Sequence, residues 1–162
     1  MDAAPSLLIL WHSRTGAAAA MARAAAEGAG PAARLVRAEA ADPPLLLEGQ
    51  GYIFCCPENL GTASGAMKEM FDRCYYPLLG RIAGRPYATL IAAGSDGTGA
   101  ERQIDRIVTG WRLRRVAPGL IANLAAQTPE EIAAPKQVPQ GVLAECRDLG
   151  AALAEGLRLG IF

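Results

Sequence analysis

Three short stretches of this chain concentrate hydroxyls, amides and small residues just where an apolar run ends and a helix-like pattern begins. The first is Ser13-Arg14-Thr15-Gly16-Ala17-Ala18. Backbone N–H groups at a helix start, with the Ser13 and Thr15 hydroxyls beside them, form a site for a phosphate dianion, and Arg14 can add a charge-assisted bond. The same residue types also suit plain N-capping. The stretch lacks the Gly-x-x-x-x-Gly-Lys-Ser/Thr pattern of a P-loop and the Gly-x-Gly-x-x-Gly of a dinucleotide site. The second, Pro57-Glu58-Asn59-Leu60-Gly61-Thr62-Ala63-Ser64-Gly65, offers N–H groups and an amide beside apolar surface. That mixture suits a flat heteroaromatic ring with polar edges, or an ordinary strand-to-helix loop. The third, Gly94-Ser95-Asp96-Gly97-Thr98-Gly99, has glycines that permit close backbone approach to a ligand, or a tight turn capped by Asp96 or Thr98.

The elements that must position these loops alternate. Leu7 to Trp11 is a continuous apolar run, as in a strand covered on both faces. The alanine-rich Ala17 to about Glu27 predicts a helix ended by Gly28-Ala29-Gly30-Pro31. Arg34 to Ala38 reads as a second strand, and Asp42-Pro43-Pro44 breaks the chain before a leucine-rich turn. Gly51 to Cys56 is a third strand stopped by Pro57, and Gly65 to Tyr76 a helix with Ala66, Met67, Met70, Phe71, Cys74 and Tyr75 on one face. On its wet face Lys68 and Asp72, and Glu69 and Arg73, stand four apart and can pair. Pro86 to Ala93 is a fourth strand. Ile104, Ile107, Val108 and Trp111 mark a helix, and Val116 to Asn123 a fifth strand. A proline-rich connection through Pro129, Pro135 and Pro139 leads to a last helix carrying Val142, Leu143, Cys146, Leu149, Leu153 and Leu157. Such alternation implies a parallel sheet with helices on both faces, and ligands then bind beyond the carboxyl ends of the strands, where all three loops fall.

Composition narrows the function classes. Half the residues are apolar, and Lys plus Arg balances Asp plus Glu at zero net charge. That argues against a nucleic-acid binder and against a polybasic membrane anchor. The longest apolar run, Leu7 to Trp11, is too short to span a bilayer, and no secretory leader pattern precedes it. Cys55, Cys56, Cys74 and Cys146 lack C-x-x-C spacing and predict reduced thiols in a cytoplasmic protein. With His12 the sole histidine, no metal-ligand spacing exists. One domain over 1–162 is expected, since no linker or repeat divides the chain.

The motifs resemble the flavodoxin-like superfamily, and within it the NAD(P)H-dependent FMN and quinone reductases. Ser13-x-Thr15-Gly16 after a buried strand is similar to the flavodoxin phosphate loop. Pro57-Glu58-Asn59 through Gly65-Ala66-Met67-Lys68 and Phe71-Asp72-Arg73 is similar to the reductases' third-strand segment, and Ala93-Gly94-Ser95-Asp96-Gly97 to their fourth-strand loop. The likeness runs from about Leu7 to Trp111. It implies a three-layer α/β sandwich with a five-stranded parallel sheet of order 2-1-3-4-5. By the same resemblance Ser13, Arg14, Thr15, Gly16, Ala17 and Ala18 would cradle the FMN phosphate. Pro57, Glu58, Asn59, Leu60 and Gly61 would meet the isoalloxazine, and Gly94, Ser95, Asp96 and Gly97 its other edge. Flavodoxins usually carry Asn-Thr where this chain has Ala17-Ala18, which removes a hydroxyl.

The resemblance implies an oxidoreductase that takes electrons from NAD(P)H as co-substrate and passes them to a small-molecule acceptor, with homo-oligomers common in the branch. Flavin supplies the reactive atoms, so no catalytic side chain is expected; His12 at the mouth of the site is not needed as a general base, and Cys55 and Cys56, at the end of a buried strand, read as small apolar thiols. The alternatives are a flavodoxin-type carrier without a substrate of its own, or a flavodoxin fold that has lost FMN. Zero net charge counts against a carrier, because such carriers are strongly acidic and dock on basic partners.

Overall fold

Leu7, Ile9, Ile53, Cys55, Ala88 and Leu90 point to one side of a sheet, and Leu8, Leu10, Tyr52, Phe54, Cys56 and Ile91 to the other, each set inside its own buried cluster. This is why the strands read as continuous apolar runs and not as alternation: both faces are covered. The computed structural model describes residues 6–162. Its strands are β1 (Leu7–Trp11), β2 (Ala33–Arg37), β3 (Gly51–Asn59), β4 (Thr62–Ala63), β5 (Pro86–Ala93), β6 (Arg114–Arg115) and β7 (Leu120–Asn123). The helices are α1 (Ala17–Ala29), α2 (Pro43–Glu48), α3 (Gly65–Leu78), α4 (Thr98–Gly110), α5 (Pro129–Ala133) and α6 (Gln140–Leu159). The parallel order is β2-β1-β3-β5, with β6 and β7 sharing the last place, which is the expected order 2-1-3-4-5. The α1 and α6 residues Met21, Ala22, Ala25, Cys146 and Leu153 bury one face of the sheet, and Met67, Phe71, Ile104, Val108 and Trp111, from α3, α4 and the turn after α4, bury the other.

Four sequence expectations need correction. Pro57 does not stop the third strand: β3 runs on to Asn59, with Pro57 level with Ala92 of β5. The Cys55 carbonyl accepts from His12 N on the β1 side, so the backbone of Pro57, two residues on, faces that same side. There β1 has already ended, and the missing N–H breaks no ladder bond. Glu58 and Asn59 then pair antiparallel with Ala63 and Thr62. The fifth strand is split: Arg115 pairs with Tyr87 and Leu120 with Leu90, five residues against three, so two residues bulge out around Pro118, which has no N–H to give. Arg115 turns inward there, donating to Thr89 Oγ1 at 2.9 Å and to Asp105, above the Tyr87 ring. The second strand is Ala33–Arg37 and not Arg34–Ala38, because Ala38 opens a short 3-10 turn. The leucine-rich turn is the helix α2, capped by Asp42, whose Oδ1 accepts from Leu45 N at 2.9 Å.

The surface pairs on α3 form as their spacing predicts, Lys68 Nζ to Asp72 at 2.6 Å and Arg73 to Glu69. Arg73 does more, donating also to the Ala38 and Ala41 carbonyls and so tying α3 to the turn after β2. Among the described residues no helix is long and apolar enough to cross a membrane.

Candidate functional site

The loop after β1 is shaped by one serine and one glycine. Ser13 Oγ accepts from Gly16 N at 3.1 Å, leaving its own proton to donate, and Gly16 takes the left-handed backbone (φ +99°) that starts α1. No side chain caps that helix, so the N–H groups of its first turn face the space beyond β1. The Ala17 and Ala18 side chains turn away into the core, so any anion here meets backbone donors.

The second loop is a hairpin. Leu60 (φ 54°) and Gly61 (φ 74°) form its two-residue turn between Asn59 and Thr62, both in left-handed backbone. Leucine in that region costs roughly 1–2 kcal/mol relative to glycine, and the Leu60 side chain is fully exposed.

Glu58 joins the second loop to the third. Its Oε1 accepts from Gly97 N at 2.9 Å and its Oε2 from Ala100 N at 3.1 Å, so the carboxylate satisfies the start of α4. Asp96 caps the same turn through Thr98 N and Oγ1, at 3.3 and 2.8 Å. A Cβ on Gly99 would sit under 3.0 Å from the Gly61 carbonyl oxygen, which fixes the two loops at backbone contact.

Between these loops opens a cavity of about 700 Å³. Ser13, Arg14, Thr15, Ala17 and Ala18 line one end, and Pro57, Glu58, Asn59, Leu60 and Gly61 one wall. Gly94 and Ser95 line the wall opposite, with Ala92 and Ala93 of β5 beside them. Three of the residues singled out in the sequence do not reach the wall. Gly16 makes the turn behind the loop, Asp96 is taken up in capping Thr98, and Gly97 is buried under Ile121.

Sequence reasoning missed Leu124, Ala126, Ile132, Ala133 and Lys136, which also line the cavity. They come from the chain after β7 and from α5, the proline-rich connection. The available signal was topological. The fifth strand also ends at this edge, and the chain must then cross to α6, which packs on α1, so it passes over the loop after β1. Lys136 N donates to the Thr15 carbonyl at 2.9 Å, and Gly94 lies where a Cβ would meet the Ala126 carbonyl at 2.7 Å. Thr128 and Glu131 form a reciprocal cap on α5, and Lys136 Nζ donates to the Ile132 and Ala134 carbonyls at 2.9 and 2.6 Å.

The tempting side chains are engaged elsewhere. His12 Nδ1 lies 2.8 Å from the buried Ser64 hydroxyl, and Nε2 is 3.8 Å from Glu39. Burial pushes the imidazole below its ordinary value near 6.5, with Arg14 and Arg37 adding to that and Glu39 opposing it. Between the folded pKa and 6.5 the unfolded chain binds the proton more readily, so this group's contribution is complete above 6.5 and is lost as pH falls through the folded value. As His12 is the only histidine, its ring resonances in a proton NMR titration are expected to show a midpoint below 6.5, and a midpoint above it would refute this placement. Cys55 and Cys56 are wholly buried, and burial raises both thiols, Cys56 to about 11, so neither is a thiolate near neutrality.

No protein-family profile matches the chain. A flavodoxin of Aquifex aeolicus is 32% identical over 107 residues, which is 64% of this chain and 58% of that protein. Among solved structures, a WrbA-like flavodoxin from Agrobacterium tumefaciens superposes with a TM-score of 0.77 at 19% identity, covering 96% of this chain and 98% of that one. A structure described as a flavone reductase gives 0.74 at 15% identity, covering 94% and 63%. The chain has the flavodoxin-like α/β fold.

Proposed function

We propose that this chain binds FMN in the cavity between its three loops and acts as an NAD(P)H oxidoreductase that passes electrons to a quinone, a flavin or a similar small acceptor. The observation that carries the reading is that one cavity of about 700 Å³ brings together an uncapped helix start, two cations and walls that include Pro57, Leu60, Gly61, Ala92, Ala93 and Gly94. Its volume lies within the range of small-molecule and cofactor sites. Bound FMN would supply a ring that accepts hydride or electrons.

The protein's part is positioning. The Ser13 and Thr15 hydroxyls and the first N–H groups of α1 would hold the phosphate, and the Pro57–Gly61 hairpin and the backbone at Gly94 and Ser95 would contact the ring. Glu58 keeps hairpin and third loop at fixed separation by bonding Gly97 and Ala100. No side chain at the site needs to move a proton, which agrees with His12 being held on Ser64.

The carrier reading has one observation in its favour, the sequence relative described as a flavodoxin. Against it stands the zero net charge, which supplies no acidic field for docking on a basic partner. Two measurements decide. FMN is expected to show saturable fluorescence quenching on titration, and no saturation up to high micromolar FMN would end the flavin reading. NADH or NADPH is then expected to bleach the bound flavin anaerobically, with a quinone restoring its colour. Flavin that stays oxidised with both nicotinamides, but is reduced through a partner reductase, would leave the carrier.

A further inference from the structure

The connection between β7 and α6 contributes a cationic residue, Lys136, to the lining of the cavity. Lys136 stands on the cavity wall with Ser13, Arg14 and Thr15, and its backbone N–H is bonded to the Thr15 carbonyl. Pro135 precedes it, and the buried Val138 and then Pro139 follow, so the backbone that carries the side chain is held at both ends. Neither Lys136 nor Arg14 pairs with a carboxylate among the described residues. The acid on the wall, Glu58, is occupied by the N–H groups of Gly97 and Ala100. The cavity is therefore lined by two cations without a carboxylate partner among the described residues, Arg14 and Lys136, together with the uncapped start of α1, and the backbone of Lys136 is tied to the loop that precedes that helix.

We infer that Lys136 is a phosphate-binding residue, supplied to the phosphate loop from the far connection, and that it sets the preference for a phosphorylated flavin over an unphosphorylated one. The inference rests on the FMN reading above. The ammonium bonds two neutral carbonyls, those of Ile132 and Ala134, both on exposed residues. Exchanging them for a dianion replaces neutral acceptors by charged ones, and the released carbonyls turn to water, so the exchange favours the anion. Riboflavin lacks the phosphate and gains nothing from it. Lys136 thus does work that Ala17 and Ala18, whose side chains are buried in the core, cannot do.

The test measures the dissociation constants of FMN and riboflavin for the whole chain, its Lys136→Met and Lys136→Arg variants, at low and high salt. Met keeps the apolar stem and removes the charge, and thermal melts confirm that each variant is folded. Lys136→Met is expected to weaken FMN about tenfold or more, to leave riboflavin within about twofold, and to flatten the salt dependence of FMN binding. Lys136→Arg is expected to restore most of the loss. An unchanged FMN-to-riboflavin ratio in Lys136→Met, or an equal loss for both flavins, overturns the assignment while the flavin site stands. Failure of the unaltered protein to bind FMN overturns both.

Discussion

Gly97→Val is expected to lower the melting temperature by about 10 °C and to weaken flavin binding by about tenfold. Gly97 sits at φ +96°, where an L side chain is disfavoured by roughly 1–2 kcal/mol. A Cβ there would also be driven into Ile121 and come 3.2 Å from Ala93 Cβ. Overpacking of that kind costs about 1–3 kcal/mol, and in a domain of this size each kcal/mol lowers the midpoint by roughly 2–4 °C. The functional loss follows from the bond between Gly97 N and Glu58 Oε1, through which the third loop holds the hairpin in place. Gly61→Ala separates the two causes. Gly61 also has a positive φ, at 74°, but nothing stands within 4 Å of its added Cβ, so only the backbone penalty of roughly 1–2 kcal/mol remains. A Gly97→Val protein that melts with Gly61→Ala would mean that Ile121 yields freely and that steric packing does not fix this loop.

The second large effect lies in the seam between α1 and α6. Gly150→Ala is expected to destabilise the protein, since overpacking against backbone costs about 1–3 kcal/mol and outweighs the gain of about 1 kcal/mol that Gly→Ala gives inside an exposed helix. A Cβ on Gly150 would stand under 3.0 Å from the Ala25 carbonyl oxygen, and one on Gly28 would meet the Arg147 carbonyl equally closely. Both obstacles are backbone, so the helices must separate for either to fit. Gly141, in the first turn of α6, has nothing within 4 Å of its added Cβ, and Gly141→Ala is expected to be neutral or stabilising. Chemical denaturation of both variants checks the pair. Stabilisation by Gly150→Ala would show that the close approach of α1 and α6 contributes nothing.

That seam gives the alanine run a second meaning. Read along the chain, Ala17 to Glu27 is a strong helix former, and α1 is indeed a helix. Packed, the same alanines let one helix lie against the sheet on one side and α6 on the other, with Ala18, Ala22 and Ala25 almost wholly buried. Small side chains were legible as propensity; their role as a close-packing surface appears only when α6 is in place. Glu58 is a similar case. From sequence it belongs to the ring-facing loop, and it does line the cavity, yet its carboxylate is spent on the backbone of α4, 39 and 42 residues away.

The sequence by itself determined the alternation of strands and helices and the three loops that follow the first, third and fourth strands, while the order of the strands came only with the family resemblance. The alternation and the loops follow from local and periodic signals: apolar runs of strand length, helical spacing, and glycines and prolines at the breaks. The tertiary structure alone decided the outcome where a residue's role depends on the far side of the fold. Pro57 stays in its strand because the neighbouring strand has run out beside it, and Pro118, which has no N–H to give, falls in the two-residue bulge between the paired Arg115 and Leu120. Lys136 reaches the cavity because α6 docks on α1 and draws the preceding connection across Thr15. No spacing along the chain encodes that contact, since it joins residues more than a hundred positions apart through packing of whole elements.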